Sequence, residues 1–271
     1  MRVLRVNRAK FRQNIGIFLF CFLSLQCNYK EPWEVAFTEK EIVSIQSEGT
    51  ILQHTRVAMI PASSYKSIGI VDTTLLLIDE YKPPFLRFYS TRTMNYLGSY
   101  GVKGDKGNEF ISPKYDNQYV VENDRTFFYL SDAQKFLFCK VDLEKAISDT
   151  SYTPELQYKI PPSLILKYVS LFINNKGQLL GNYRGTGDYQ KTGRIFIYDT
   201  LTKKMNWIPY FPKRPFALSS SSVPYYYYSF CGFNTERQIF TSSMYLFKRI
   251  DFIDFSKRQN ISSVYSGSDI K

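Results

Sequence analysis

Short apolar runs follow one another along most of this chain, separated by Gly, Pro, Asn, Asp and Lys. The clearest lie at 75–79, 85–89, 96–100, 119–121, 127–130 and 136–141, then at 169–173, 179–183, 194–199, 225–230, 237–241 and 249–255. Their shortness, their Val, Ile, Phe and Tyr content and the turn residues between them predict strands. Helical periodicity is nearly absent; the one stretch that predicts a helix is 141–148, around Asp142, Leu143 and Ala146. Between two apolar runs, Asn174, Asn175, Lys176 and Gly177 read as a tight hairpin turn. The predicted class is therefore all-β.

A loose repeat runs through these strands: an apolar run ending in aspartate recurs at Asp79, Asp132, Asp199 and Asp254. The intervals are irregular but near the length of one propeller blade. A β-sandwich could use the same strands, but nothing in a sandwich requires the repeated strand-then-Asp unit, so a β-propeller is the predicted architecture. The aspartates themselves read first as turn residues, accepting hydrogen bonds from nearby backbone N–H groups.

The first residues have a different pattern. Arg2, Arg5, Arg8, Lys10 and Arg12 lead into an apolar run at 15–25 that stops at Cys27. That run is too short to cross a bilayer as a helix, which needs roughly 20 residues, and suits the core of an export signal. The cysteine after it resembles a bacterial lipoprotein signal, which implies lipid on Cys27 as the first mature residue; Gln26 departs from the small residue usual before that cysteine. The expected organisation is a signal peptide at 1–26, a lipidated tether at 27–41 and a propeller domain at 42–271. The membrane is then one partner, through the anchor, and residues 28–31 lack the acidic cluster that would favour surface display over a periplasm-facing location.

Removing the leader changes the reading of charge. The chain carries a formal +11, but five of its 35 basic residues lie in the leader, leaving 30 against 24 acidic residues. The remaining excess is scattered in pairs such as Lys203-Lys204 and Lys257-Arg258 and forms no stripe of the kind that binds nucleic acid, so no nucleic-acid partner is expected. Of four cysteines, Cys139 and Cys231 lie beyond the leader and Cys27, too few for a disulfide scaffold. Cys139 shares a predicted strand face with Leu137 and Val141, which suggests a buried thiol; a bridge to Cys231 is the alternative.

Two stretches resemble the TolB-like six-bladed β-propeller lipoproteins of Bacteroidota. One is 72–79 followed by Phe88, Tyr89 and Ser90. The other is 97–110, similar to that family's Gly-x-x-Gly-x-Gly-Pro-x-Glu-Phe loop, with Lys106-Gly107 here in place of Gly-Pro. The resemblance implies a six-bladed type of ring, of which the strands here furnish about four blades. A shortened ring would expose open sheet edges, which associate readily or need a partner. It also implies a recognition surface where loops gather around the axis, with Gly101, Gly104, Gly107, Glu109 and Phe110 as candidate ligand-contacting residues and the 184–193 loop beside them. The glycines do not read as a phosphate cradle, because no helix start follows them.

Candidate catalytic chemistry is thin. His54 is the only histidine, which excludes clusters of several imidazoles, and no Gly-x-Ser-x-Gly elbow accompanies it. The carboxylate pairs Glu122 with Asp124 and Asp251 with Asp254 read as solvated or turn-capping. No catalytic residue, metal ligand or cofactor is assigned. The aromatic run 225–230 should alternate, Tyr226, Tyr228 and Phe230 on one face and Tyr225, Tyr227 and Ser229 on the other, as blade core or as a platform for sugar or peptide. The expected function is binding or scaffolding in the envelope with a protein or glycan partner. The alternatives are a propeller enzyme acting on glycan or peptide and a non-functional shortened copy.

Overall fold

The computed structural model describes residues 39–45, 65–79, 81–165, 167–184, 193–208, 227–244, 249–257 and 259–265. They belong to one compact unit, Phe37–Lys271; Met1–Ala36, where the export signal and Cys27 anchor are predicted, lies outside the described residues, as do His54, Tyr225 and Tyr226.

The strands form four antiparallel meanders. After β1 (Glu39–Ile45), the first sheet contains β2 (Tyr65–Val71), β3 (Thr74–Asp79), β4 (Leu86–Ser90) and β5 (Tyr96–Tyr100). A small parallel pair, β6 (Val102–Lys103) with β7 (Glu109–Phe110), leads to the second sheet. That sheet comprises β8 (Pro113–Glu122), β9 (Arg125–Asp132), β10 (Leu137–Asp142) and β11 (Leu156–Lys159). The third has β12 (Tyr168–Ile173), β13 (Gln178–Tyr183), β14 (Ile195–Asp199) and β15 (Met205–Ile208). The fourth has β16 (Ser229–Asn234), β17 (Ile239–Met244), β18 (Arg249–Asp254) and β19 (Gln259–Tyr265), with β1 added parallel to β19 at its outer edge. The first strands of consecutive sheets, β2, β8, β12 and β16, lie against one another, so the sheets radiate from them. This is a β-propeller of four blades.

Three seams between blades are filled with apolar side chains. Leu76, Phe88, Tyr100, Phe110, Phe128 and Cys139 pack between the first and second blades, with Phe88 edge-on to Phe128 and Tyr100 edge-on to Phe110. Phe138, Leu171, Leu179 and Phe196 fill the next seam, and Phe172, Ile195, Phe233, Phe240 and Ile253 the third. Burial follows position: β3 is buried along its whole length and reads as an unbroken apolar run, whereas β18 alternates, with Arg249, Asp251 and Ile253 inside and Ile250 and Phe252 exposed. The outward face of the first blade packs Leu75, Leu77 and Tyr89 against its own Tyr65 and Met94. Ile68, Ile70, Ile250, Phe252 and Ile261 stay exposed on the outward faces of the first and fourth blades.

The local predictions hold in detail. Asp79, Asp132, Asp199 and Asp254 each end a strand, and each accepts the backbone N–H groups two and three residues ahead through one carboxylate oxygen. The first two close the second strand of a blade and the last two the third, which explains the irregular interval between Asp132 and Asp199. Asn174 closes the β12–β13 hairpin by accepting from Lys176 and Gln178. Helix α1 (Leu143–Ser148) begins at Asp142, whose side chain accepts from the Lys145 backbone N–H. Boundaries differ in places: β8 runs from Pro113 to Glu122 where only 119–121 is predicted, β17 is shifted to 239–244, and β16 starts at Ser229, so Tyr227 and Tyr228 precede the strand predicted at 225–230. Cys139 and Cys231 are free thiols that pack on different seams.

Candidate functional site at the axis

The inner strand of every blade is also the edge of its sheet, and an edge strand leaves backbone groups unpaired. Side chains from neighbouring blades satisfy them. Asp116 on β8 accepts from the Leu171 N–H of β12 at 3.0 Å. Two residues on, Gln118 accepts from Ile173 N–H at 2.9 Å and donates to the same residue's carbonyl at 2.6 Å. Asn182 accepts from Ser170 N–H within the third blade and donates across to the Ser229 carbonyl of β16 in the fourth, and Tyr115 donates to the Ile70 carbonyl of β2. These bonds run around the axis and tie the blades together where the apolar seams end.

Beyond this polar ring, where the inner strands begin, a cavity of about 670 Å³ opens. Lys66, Lys114, Val169 and Phe230, each the second residue of its inner strand, all line it. The shared topology therefore brings four residues remote in sequence to one rim. Tyr115, Tyr168 and Tyr228 join Phe230 as aromatic walls, and Ser112, Asn117, Gln134 and Ser170 add neutral polar groups. Arg184, immediately after β13, and Cys231 complete the lining.

Asp116 is the one carboxylate of the described lining. Burial pushes its pKa up, opposed by the Lys114 ammonium 2.6 Å away and by the Leu171 N–H. Lys114 also donates to the Val169 carbonyl, and Lys66 to Ser112 Oγ at 3.1 Å. The Arg184 guanidinium sits 5.8 Å from the Tyr228 ring centroid. Tyr228 in turn meets Phe230 edge-on at 5.6 Å. Phe230 is 65% exposed. The alternation predicted for 227–230 is present, with Tyr227 and Ser229 buried, but Phe230 is a cavity wall rather than blade core. Tyr168 is pushed up to about 12, chiefly by burial, and Cys231 to about 11 for the same reason, so neither ionises readily.

The loop at 101–110 is held by its own contacts. Gly101 and Gly104 take φ of 83° and 153°, conformations that favour glycine, and a side chain on Gly104 would strike the Glu109 carboxylate. Glu109 accepts from the Lys106 N–H, and Gly104 N–H bonds to the Phe110 carbonyl. Phe110 is fully buried in the first seam, and a side chain at Gly107 would run into Thr153. These residues lie together, and none of them lines the cavity; Ser112, just beyond, does. Of the 184–193 loop, Arg184 lines it, and 185–192 lie outside the described residues. Glu122 pairs with Lys140, while Asp251 lies inside the third seam and Asp254 in a turn. Among the described residues no group of three or more His, Cys, Asp or Glu could hold a metal ion, and no helix is long and apolar enough to cross a membrane. Sequence reasoning missed Lys66 and Lys114; their shared strand position becomes visible only once the inner strands are known.

No family model matches the chain, and no curated protein matches it. Among solved structures it is similar to a Bacteroides fragilis protein described as exported, with 14% identity over 85% of this chain and 62% of the other, at a TM-score of 0.48. A member of the DUF4221 family from Bacteroides vulgatus is 10% identical over 78% of this chain and 60% of the other, with a TM-score of 0.49. A streptogramin B lyase is 12% identical over 73% and 54%, with a TM-score of 0.37. The chain thus spans less than two thirds of the length of these structures.

Proposed function

We propose that this protein is a lipid-anchored β-propeller of the bacterial envelope that binds a small ligand in its axial cavity. The observation that carries this reading is the convergence of equivalent positions on four inner strands upon one concave, aromatic and polar site. A hydrolytic enzyme acting on glycan would need two carboxylates converging on the cleaved bond, roughly 5–10 Å apart; the described lining offers Asp116, which already serves Lys114 and the Leu171 N–H. The anchor rests on the leader and Cys27, and the lack of an acidic cluster at 28–31 favours a periplasm-facing location.

Ligand-observed NMR with a fragment library tests the cavity. Fragments that bind the full chain should lose binding in Gln134→Trp, which fills the cavity from an exposed turn position, while its melting temperature stays within a few degrees. If no binding is removed by filling the cavity, the reading fails. Labelled palmitate should enter the wild-type chain and be lost in Cys27→Ser; incorporation into neither removes the anchor.

A further inference from the structure

We infer that the ligand is a carboxylated sugar, a uronic-acid unit of a saccharide, held by Arg184 and by the ring pair Tyr228 and Phe230; this rests on the cavity reading above. Arg184 makes no ion pair among the described residues, and its guanidinium is held beside the Tyr228 ring at the cavity wall. A planar fork of donors in that position suits a carboxylate, which it can bind through two parallel hydrogen bonds. Asp116 does not neutralise it, because its carboxylate is engaged by Lys114 and the Leu171 N–H. Lys114 and Asp116 offset each other, so Arg184 leaves a net positive charge at the described lining. That balance draws an anion into the concave site.

The rest of the wall selects among anions. Phe230 presents an exposed ring edge-on to Tyr228, a surface on which the apolar face of a pyranose can lie. Ser112, Asn117 and Gln134 place neutral polar groups around it, suited to hydroxyls rather than to further charge. An acidic peptide adding a strand would need free backbone groups on an inner strand. The groups at Leu171 and Ile173 are already taken by Asp116 and Gln118.

Calorimetric titration of the full chain with trigalacturonate, neutral galactotriose and triglutamate tests this. Trigalacturonate should bind at least about tenfold more tightly than the neutral trimer, a difference that one charge-assisted pair can supply. Arg184→Gln should reduce trigalacturonate binding about tenfold and leave galactotriose unchanged, whereas Phe230→Ala should weaken both. Both substitutions are at exposed positions, and an unchanged thermal melt verifies folding. Equal affinity for the two trimers, tighter binding of triglutamate, or no saccharide binding overturns the uronate assignment. If fragments are still displaced by Gln134→Trp in any of those cases, the cavity reading survives and the uronate assignment alone falls.

Discussion

The seam between the first and second blades and that between the third and fourth solve the same packing problem differently. The first is closed by aliphatic and aromatic side chains, with Phe88, Phe128, Tyr100 and Phe110 in edge-to-face pairs. The second contains charge: Asp251 receives Arg194 at 2.6 Å and Arg249 at 2.7 Å, and Ser262 Oγ donates to the same carboxylate. Arg194 and Asp251 side chains are 2% and 0% exposed. An apolar seam gains in proportion to the area it buries. A charged one is satisfied only while all its members are present, since desolvation offsets much of the attraction.

Removing Asp251 should therefore have the largest effect. Asp251→Ala leaves two buried guanidinium groups facing each other and should cost about 3–5 kcal/mol in urea unfolding. Replacing Arg194, Arg249 and Asp251 together by apolar residues of similar volume should recover most of that loss. A loss for Asp251→Ala no larger than that of a surface substitution would mean the seam is not held by these ions. In the apolar seam, Phe110→Ala should cost about 3 kcal/mol, with no rescue by charge.

The turn aspartates differ in the same sense. Asp132 is fully buried and accepts from Ile111, Ser112, Gln134 and Lys135 N–H groups, tying the connection into the second blade to that blade's own β9–β10 turn. Asp199 accepts from Leu201 and Thr202 at an exposed turn and from the Gln178 side chain. Asp132→Ala should destabilise by about 2–3 kcal/mol and Asp199→Ala by about 1 kcal/mol or less, measured by the same unfolding curves.

Acid should distinguish the two seams. Burial alone would raise the Asp251 carboxyl, but Arg194 and Arg249 together hold it below the usual carboxylate range. Its stabilising contribution is complete above the unfolded carboxylate pKa of about 3.9 and is lost as pH falls through the lower folded value. Asp149, Asp199 and Asp254 are also lowered and add to the acid slope. In Asp251→Asn the melting temperature should fall less steeply below pH 4 than in the wild type; parallel slopes would contradict the assignment. The smallest effect concerns the thiols. Burial pushes Cys139 up to about 12 and Cys231 to about 11. At pH 8 both should react slowly with iodoacetamide, and Cys231, which lines the cavity, faster than Cys139 in its seam. Labelling of Cys139 first would reverse the placement.

Local sequence and tertiary structure divided the outcome along a physical line. Strands with a face in a seam, such as β3, β9, β12 and β13, were legible because burial demands Leu, Ile and Phe at those positions. The outer strands β11 and β15 and the inner strand β2 were not, since β11 is largely exposed and β2 alternates polar with apolar residues beside the axis. The aspartate turns, the Asn174 hairpin and the Asp142 cap were readable because each side chain bonds to backbone within four residues. By itself, then, the sequence determined an all-strand chain with its turns and one short helix, through interactions that close within a few residues. Only the tertiary structure decided which strands face the axis and which cations share a cavity. Lys66, Lys114, Arg184 and Phe230 meet through the stacking of separate blades, and no spacing along the chain encodes that meeting.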